Sequence, residues 1–382
     1  MLPRNILLVQ LTRLLSPLSR QTTKFHHHRH NRLFPRVRSI STTPAPQVKA
    51  RVLPHKNTFI NQIRFNQADI PDLPFWLTHT VPPLVPNNEV SPVQCLEACK
   101  RYVALATENA PGWQKRHLSA TATSPAITQD GKIPLFTLHY AAAILLLFAR
   151  TPGSHFLVVH ILTTGTTLGY VPAVLDLARL SQRSGNLNMP QFEHAKEGLA
   201  RLVADPVRSR EYRLDTLTLA ALAQISINTR ASTDRAVQLL EEAFKTYEAA
   251  AAAAAAGGEK KQKQQNGVVF WQWRTSAVLA LSKIYVQRKQ LDLARELLSS
   301  TAEELDNPEL HFLHATLLEP SDPHRSYLLR KAAVSGVEEA AREVARETAE
   351  SLKEEGLSDW ERKTRQVIAD EWAGIAGDKA IL

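Results

Sequence analysis

From Ser91 onward, apolar residues recur at helical spacing through most of the chain. In Trp273–Leu305, WRTSAVLALSKIYVQRKQLDLARELLSSTAEEL, the residues Leu281, Ser282 and Tyr285 fall on one face of a predicted helix. A polar turn, Arg288-Lys289-Gln290, follows, and Leu291, Ala294, Leu297 and Leu298 then resume the spacing. Small side chains at Ser282 and Ala294 let two antiparallel helices approach closely, with Tyr285 filling the gap between them. Asp306-Asn307-Pro308-Glu309 next supplies cap residues, a proline at the first helical position and an acid behind it, predicting another helix. One such hairpin cannot bury its own apolar face, so neighbours must stack on it.

The same pattern predicts helices from Ser91-Pro92 to about Thr107, over Phe192–Val203, over Leu214–Ile227 and over Asp234–Tyr247. Phe136–Phe148, FTLHYAAAILLLF, is the most apolar run, and no charge appears between Arg150 and Asp176. At 13 residues the run falls short of the roughly 20 that a membrane span needs. The following segment carries His155, His160, Gly165, Gly169 and Pro172, a poor set to face lipid, so a buried hairpin is expected. Eight alanines, Ala249–Ala256, are expected to lengthen the helix before them until Gly257-Gly258 stops it. The Lys/Gln-rich stretch behind them makes 249–267 a low-complexity insertion in the array. At the C-terminus, residues 337–355 alternate Glu and Arg, and Ser358-Asp359-Trp360-Glu361 is a capping box opening a last helix. That end reads as a charged cap with a polar outer face.

The hairpin at 273–305 resembles the tetratricopeptide repeat, whose unit is about 34 residues. Tyr327-Leu328-Leu329-Arg330-Lys331-Ala332-Ala333 followed by Gly336 and Ala340 resembles the SEL-type repeat, a relative with a slightly longer unit. Gly169–Ala178, GYVPAVLDLA, echoes Gly336–Ala345, GVEEAAREVA, both fitting G-x-x-x-A-x-x-x-[LV]-A. The resemblance implies an all-α fold, an α-solenoid of helix–turn–helix repeats over residues 91–382. It also implies protein binding in a groove lined by the first helix of each hairpin. On Trp273–Gln287 the residues expected to face that groove are Ser276, Leu279, Lys283, Val286 and Gln287. Repeats that clamp a C-terminal carboxylate place several Lys, Arg and Asn residues there. Here Lys283 is the single cation, which suits a mostly apolar client segment bearing one acid.

Charge changes the picture only at the N-terminus. The chain carries 46 Lys and Arg against 37 acids, a net charge of +9. Eight of the basic residues lie in the first 40, before any acid, so the remainder holds 38 against 37, or +1. Residues 1–40 read as a disordered mitochondrial presequence: rich in Arg, free of acids, with Leu7, Leu11, Leu14, Leu15 and Leu18 along one helical face. Arg38-Ser39-Ile40 before Ser41 resembles the site cut by the matrix processing peptidase. His26, His27, His28 and His30 fall inside this leader, so no metal role is assigned to them. Residues 41–90 read as a proline-rich arm or linker, with nine prolines between Ser41 and Pro92. Phe75-Trp76-Leu77 is too apolar for a solvated tether and is expected to pack along the helical body.

Candidate chemistry is sparse. Cys95 and Cys99 exclude a disulfide framework or an all-cysteine metal site and read as small residues on a buried helix face. His311 and His314 share a helix face and read as repeat-core or surface residues rather than metal ligands. No phosphate-binding glycine loop, zinc-protease helix or nucleophile elbow occurs in the sequence. No catalytic residue, cofactor or metal is therefore assigned, and an enzyme is not expected. The reading reached is a non-enzymatic mitochondrial scaffold or adaptor binding protein partners, in the matrix or on the matrix side of the inner membrane. It would support assembly or translation of an inner-membrane or ribosomal complex, and peripheral membrane contact is compatible with that placement. Two other readings stay open: an organellar RNA-binding helical-repeat protein, and an inner-membrane subunit spanning through residues 136–175. A net charge of +1 beyond the leader counts against a nucleic-acid groove.

Overall fold

The structure is a computed structural model and describes residues 63–81, 90–120, 130–183, 189–256 and 270–377. The expected presequence, the Lys/Gln stretch and most of the proline-rich arm lie outside these residues. Fifteen α-helices, four 3-10 turns and one pair of two-residue strands make up the regular structure among the described residues, so the all-α expectation holds. The chain divides into two compact units, Met1–Arg201 and Leu202–Leu382.

The first unit opens with a 3-10 turn at Gln67–Asp69 and α1 (Leu73–Thr80). α2 (Pro92–Glu108) and the short α3 (Trp113–His117) follow. Leu118–Ser119 then pairs in parallel with Ile133–Pro134. α4 (Leu135–Phe148), α5 (Pro152–Thr167), α6 (Val171–Arg183) and α7 (Glu193–Ala204) complete it, the last turn of α7 running past the division. α2 begins where the sequence places it, with Ser91 and Gln94 closing a reciprocal capping box. α4 is apolar on every face and its first ten residues, except Phe136, are buried, which fits the expected core hairpin with α5. No helix among the described residues is long and apolar enough to cross a membrane.

Residues 63–81 depart from the linker expectation. Asp72 caps α1 and Pro74 sits in its first turn, so the local sequence starts a helix where proline content suggests extended chain. Of the apolar Phe75-Trp76-Leu77 triplet, Trp76 is fully buried, Phe75 half-buried and Leu77 exposed; the Trp76 indole N–H donates to the Pro71 carbonyl at 3.0 Å. His79 stacks on Phe148 at the end of α4 at 4.2 Å between ring centroids. Ser154 Oγ donates to the Asp69 carbonyl at 2.8 Å, and the Asp69 carboxylate occupies the space a Cβ on Gly153 would need. This segment is therefore latched across the start of α5.

The second unit is a run of helices packed in sequence: α8 (Arg213–Ile227), α9 (Arg230–Ala256), α10 (Arg274–Gln287), α11 (Leu291–Leu305), α12 (Pro308–Leu317), α13 (Pro323–Val334), α14 (Glu338–Glu350) and α15 (Asp359–Ile375). α9 runs through Ala256, as the alanine tract predicts. Consecutive helices pack on one another, and α10 also packs beside both α8 and α12, the alternation that a stack of repeats produces. Leu298, Ala302, Val278 and Leu310 make one core cluster; Ala332, Ala333, Ala340 and Ala341 anchor the next. Leu291, counted with the buried spacing, is instead 43% exposed.

Three of the helix turns are the same device. After α5, Tyr170 N–H donates to Gly165 O (2.9 Å) and Gly169 N–H to Thr166 O (3.0 Å). After α10, Gln290 N–H donates to Tyr285 O and Lys289 N–H to Val286 O; after α13, Val337 N–H donates to Ala332 O and Gly336 N–H to Ala333 O. Each is a Schellman closure, and the pivot residue has φ of +75° (Gly169), +59° (Lys289) and +90° (Gly336). The G-x-x-x-A echo is thus explained: the glycine takes the left-handed turn, and Ala173 or Ala340 is buried where the returning helix meets its neighbour.

Candidate partner-binding site

Ser276, Leu279, Lys283, Val286 and Gln287 lie along one stripe of α10, as their spacing requires. Ser276, Leu279 and Val286 are half-buried, while Lys283 and Gln287 are exposed. Leu279 packs at its base onto the Val278–Leu298–Ala302–Leu310 cluster, so it is partly a repeat-core residue. Lys283 is the one cation of the stripe, and it is paired. Its Nζ lies 3.7 Å from a carboxylate oxygen of Glu309, in the first turn of α12, and both side chains remain more than half exposed. Such a pair contributes little to stability, so a client acid can compete for Lys283. Glu309 was legible as a helix-start acid but not as a member of this surface, because only the stacking of α10 beside α12 brings it there.

The opposite face behaves as expected, with Leu281, Ser282 and Tyr285 buried and Ala294 fully buried across from them. Tyr285 reaches further than the hairpin: its hydroxyl donates to Glu241 on α9 at 3.2 Å. Burial first, then the neighbouring Glu241 charge and hydrogen bond, push its pKa up to about 12. Tyr285 therefore ties α10 to the preceding helix, a role its spacing alone does not disclose.

His311 and His314 are both buried. His311 Nε2 lies 3.2 Å from the Asp306 carboxylate, which also meets Lys331 at 2.7 Å. His314 lines an open cavity of about 610 Å³ together with Asp292, Glu296, Glu303 and His324. Burial, then the neighbouring His324 and His311, hold His314 below the ordinary imidazole range. Its ring lies 6.1 Å from that of His324. No group of three metal donors converges among the described residues.

In the first unit, Cys95 and Cys99 are fully buried on α2, and burial pushes the Cys95 thiol up to about 12 and Cys99 further, with Cys95 adding to the latter. Neither forms the thiolate that redox or metal chemistry needs near neutral pH. One turn on, the Tyr102 hydroxyl lies 2.8 Å from both His160 Nδ1 and Thr164 Oγ1, a polar contact fastening α2 to α5. No family model, curated protein or solved structure matches the chain.

Proposed function

We propose that the chain is a non-enzymatic mitochondrial scaffold of tetratricopeptide and SEL-like repeats, which captures a protein partner on the α10 stripe. The stripe carries the reading: two half-buried apolar side chains, Leu279 and Val286, alternate with the exposed Lys283 and Gln287 on a helix flanked by α8 and α12. That alternation offers a shallow apolar track with one exchangeable ion pair, suited to a helix or extended segment bearing an acid. The acid-free leader supports a matrix address, and the role in assembly or translation support for an inner-membrane or ribosomal complex follows from address and binding mode together.

The test uses crosslinking and affinity purification from mitochondria, with the groove variant as its control. Lys283→Glu combined with Gln287→Ala is expected to lose the partner captured by wild type while leaving Tm nearly unchanged, since both residues are exposed. Tyr285→Ala and Ala294→Asp are expected to do the reverse, lowering stability by about 2–5 kcal/mol through a cavity or a buried charge. Unchanged capture by the groove variant would move the binding surface off α10. Salt-sensitive retention on RNA would favour the nucleic-acid reading.

A further inference from the structure

The terminal helix α15 does not have the polar outer face expected of a cap. Trp360 is 73% exposed, Val367 50%, Ile368 43% and Ile375 58%. At 100° per residue these four fall within one side of the helix, opposite the buried Ala369 and Ala373. Exposed apolar side chains of this size on one stripe mark a surface that is covered in use.

We propose that this stripe binds the same stripe of a second copy of the chain, as an antiparallel helix pair with its two-fold axis near Val367. The complement is written within the helix itself. Reversal about Val367 sets Val367 against itself and Trp360 against Gly374. A side chain at position 374 would meet nothing within 4 Å, so that position leaves room for an incoming indole. The same reversal sets Lys363 against Glu371 twice, once on each side of the axis. Lys363 and Glu371 are both exposed, and neither is engaged by another group among the described residues. Arg365, by contrast, is held by Glu354 at 2.7 Å and by the Ser351 carbonyl, and Asp370 by Gln366. A parallel pairing would place Lys363 beside Lys363 and Glu371 beside Glu371, so charge selects the antiparallel arrangement. A self-complementary patch of this kind closes as a dimer and does not propagate.

Sedimentation equilibrium on the full chain, over about a hundredfold range of concentration, tests the pairing by mass action. Wild type is expected to shift from monomer to dimer and to go no further. Trp360→Ala should weaken the dimer by about tenfold or more, as removal of an interface aromatic seated in the partner does. Circular dichroism, and Tm compared at concentrations where both proteins are monomeric, should stay constant, because the indole is largely exposed. Lys363→Glu should weaken it as well, and adding Glu371→Lys should restore it. A monomer throughout overturns the proposal, as does a dimer indifferent to Trp360→Ala or a charge reversal that is not rescued. A monomer that floats with vesicles of anionic phospholipid would assign the stripe to a membrane surface and overturn it equally.

Discussion

Lys289 carries a conformation that its two counterparts give to glycine. At φ +59° its Cβ crowds the backbone, and the Schellman bonds on either side hold it there. Lys289→Gly is therefore expected to raise stability by about 0.5–1 kcal/mol in urea denaturation, the relief exceeding the entropy that glycine adds to the unfolded chain. A loss of stability would show that the lysine makes a contact outweighing its strain. At His160 the sign depends on pH. Burial lowers its pKa to about 4, against 6.5 in the unfolded chain, so between those values the unfolded state binds the extra proton. The stability linked to the neutral ring is full above about pH 6.5 and is lost as pH falls towards 4, by about 2–3 kcal/mol. Urea midpoints across this range should fall for wild type and flatten in His160→Gln. At this scale the sequence is a partial guide. The helical spacing discloses that Tyr285 is buried, whereas its hydrogen bond to Glu241, forty-four residues away, depends on how α9 and α10 stack.

Among the elements, the α5–α6 hairpin shows how close approach is specified. A Cβ on Gly165 would lie 2.7 Å from the Cβ of Ala173, a group with no flexible end to swing away. Replacing glycine by alanine inside a helix ordinarily gains up to about 1 kcal/mol. Here overpacking costs about 1–3 kcal/mol, so Gly165→Ala is expected to be net destabilising, with a lowered Tm. A double-mutant cycle with Ala173→Gly should give a coupling of about 1 kcal/mol or more, and strict additivity would refute the contact. Elements were legible where caps and spacing agree, as at Ser91, Asn307 and Ser358. α1 was not, because proline density argues for extended chain and outweighs the local signal of Asp72 and Pro74. The stripe on α15 was obscured for a related reason: its charges dominate the sequence, yet several of them flank the outer face and leave Trp360, Val367, Ile368 and Ile375 uncovered.

For the whole molecule, the architecture follows from periodicity, while partner and address rest on segments or surfaces that periodicity does not read. The presequence lies outside the described residues, and its expectation stands on composition. N-terminal sequencing of the protein recovered from mitochondria is expected to begin close to Ser41, and a retained Met1 in the main form would defeat the matrix assignment. A stack of repeats can fold by adding each hairpin to the one before it, since every contact is local. The first unit departs from that economy at the latch between Asp69 and Ser154, 85 residues apart in the chain. During synthesis from the N-terminus, Asp69 emerges long before α5 exists to receive it. Closure of the latch must wait until Ser154 has been made, whereas each hairpin of the array can close on its own neighbour.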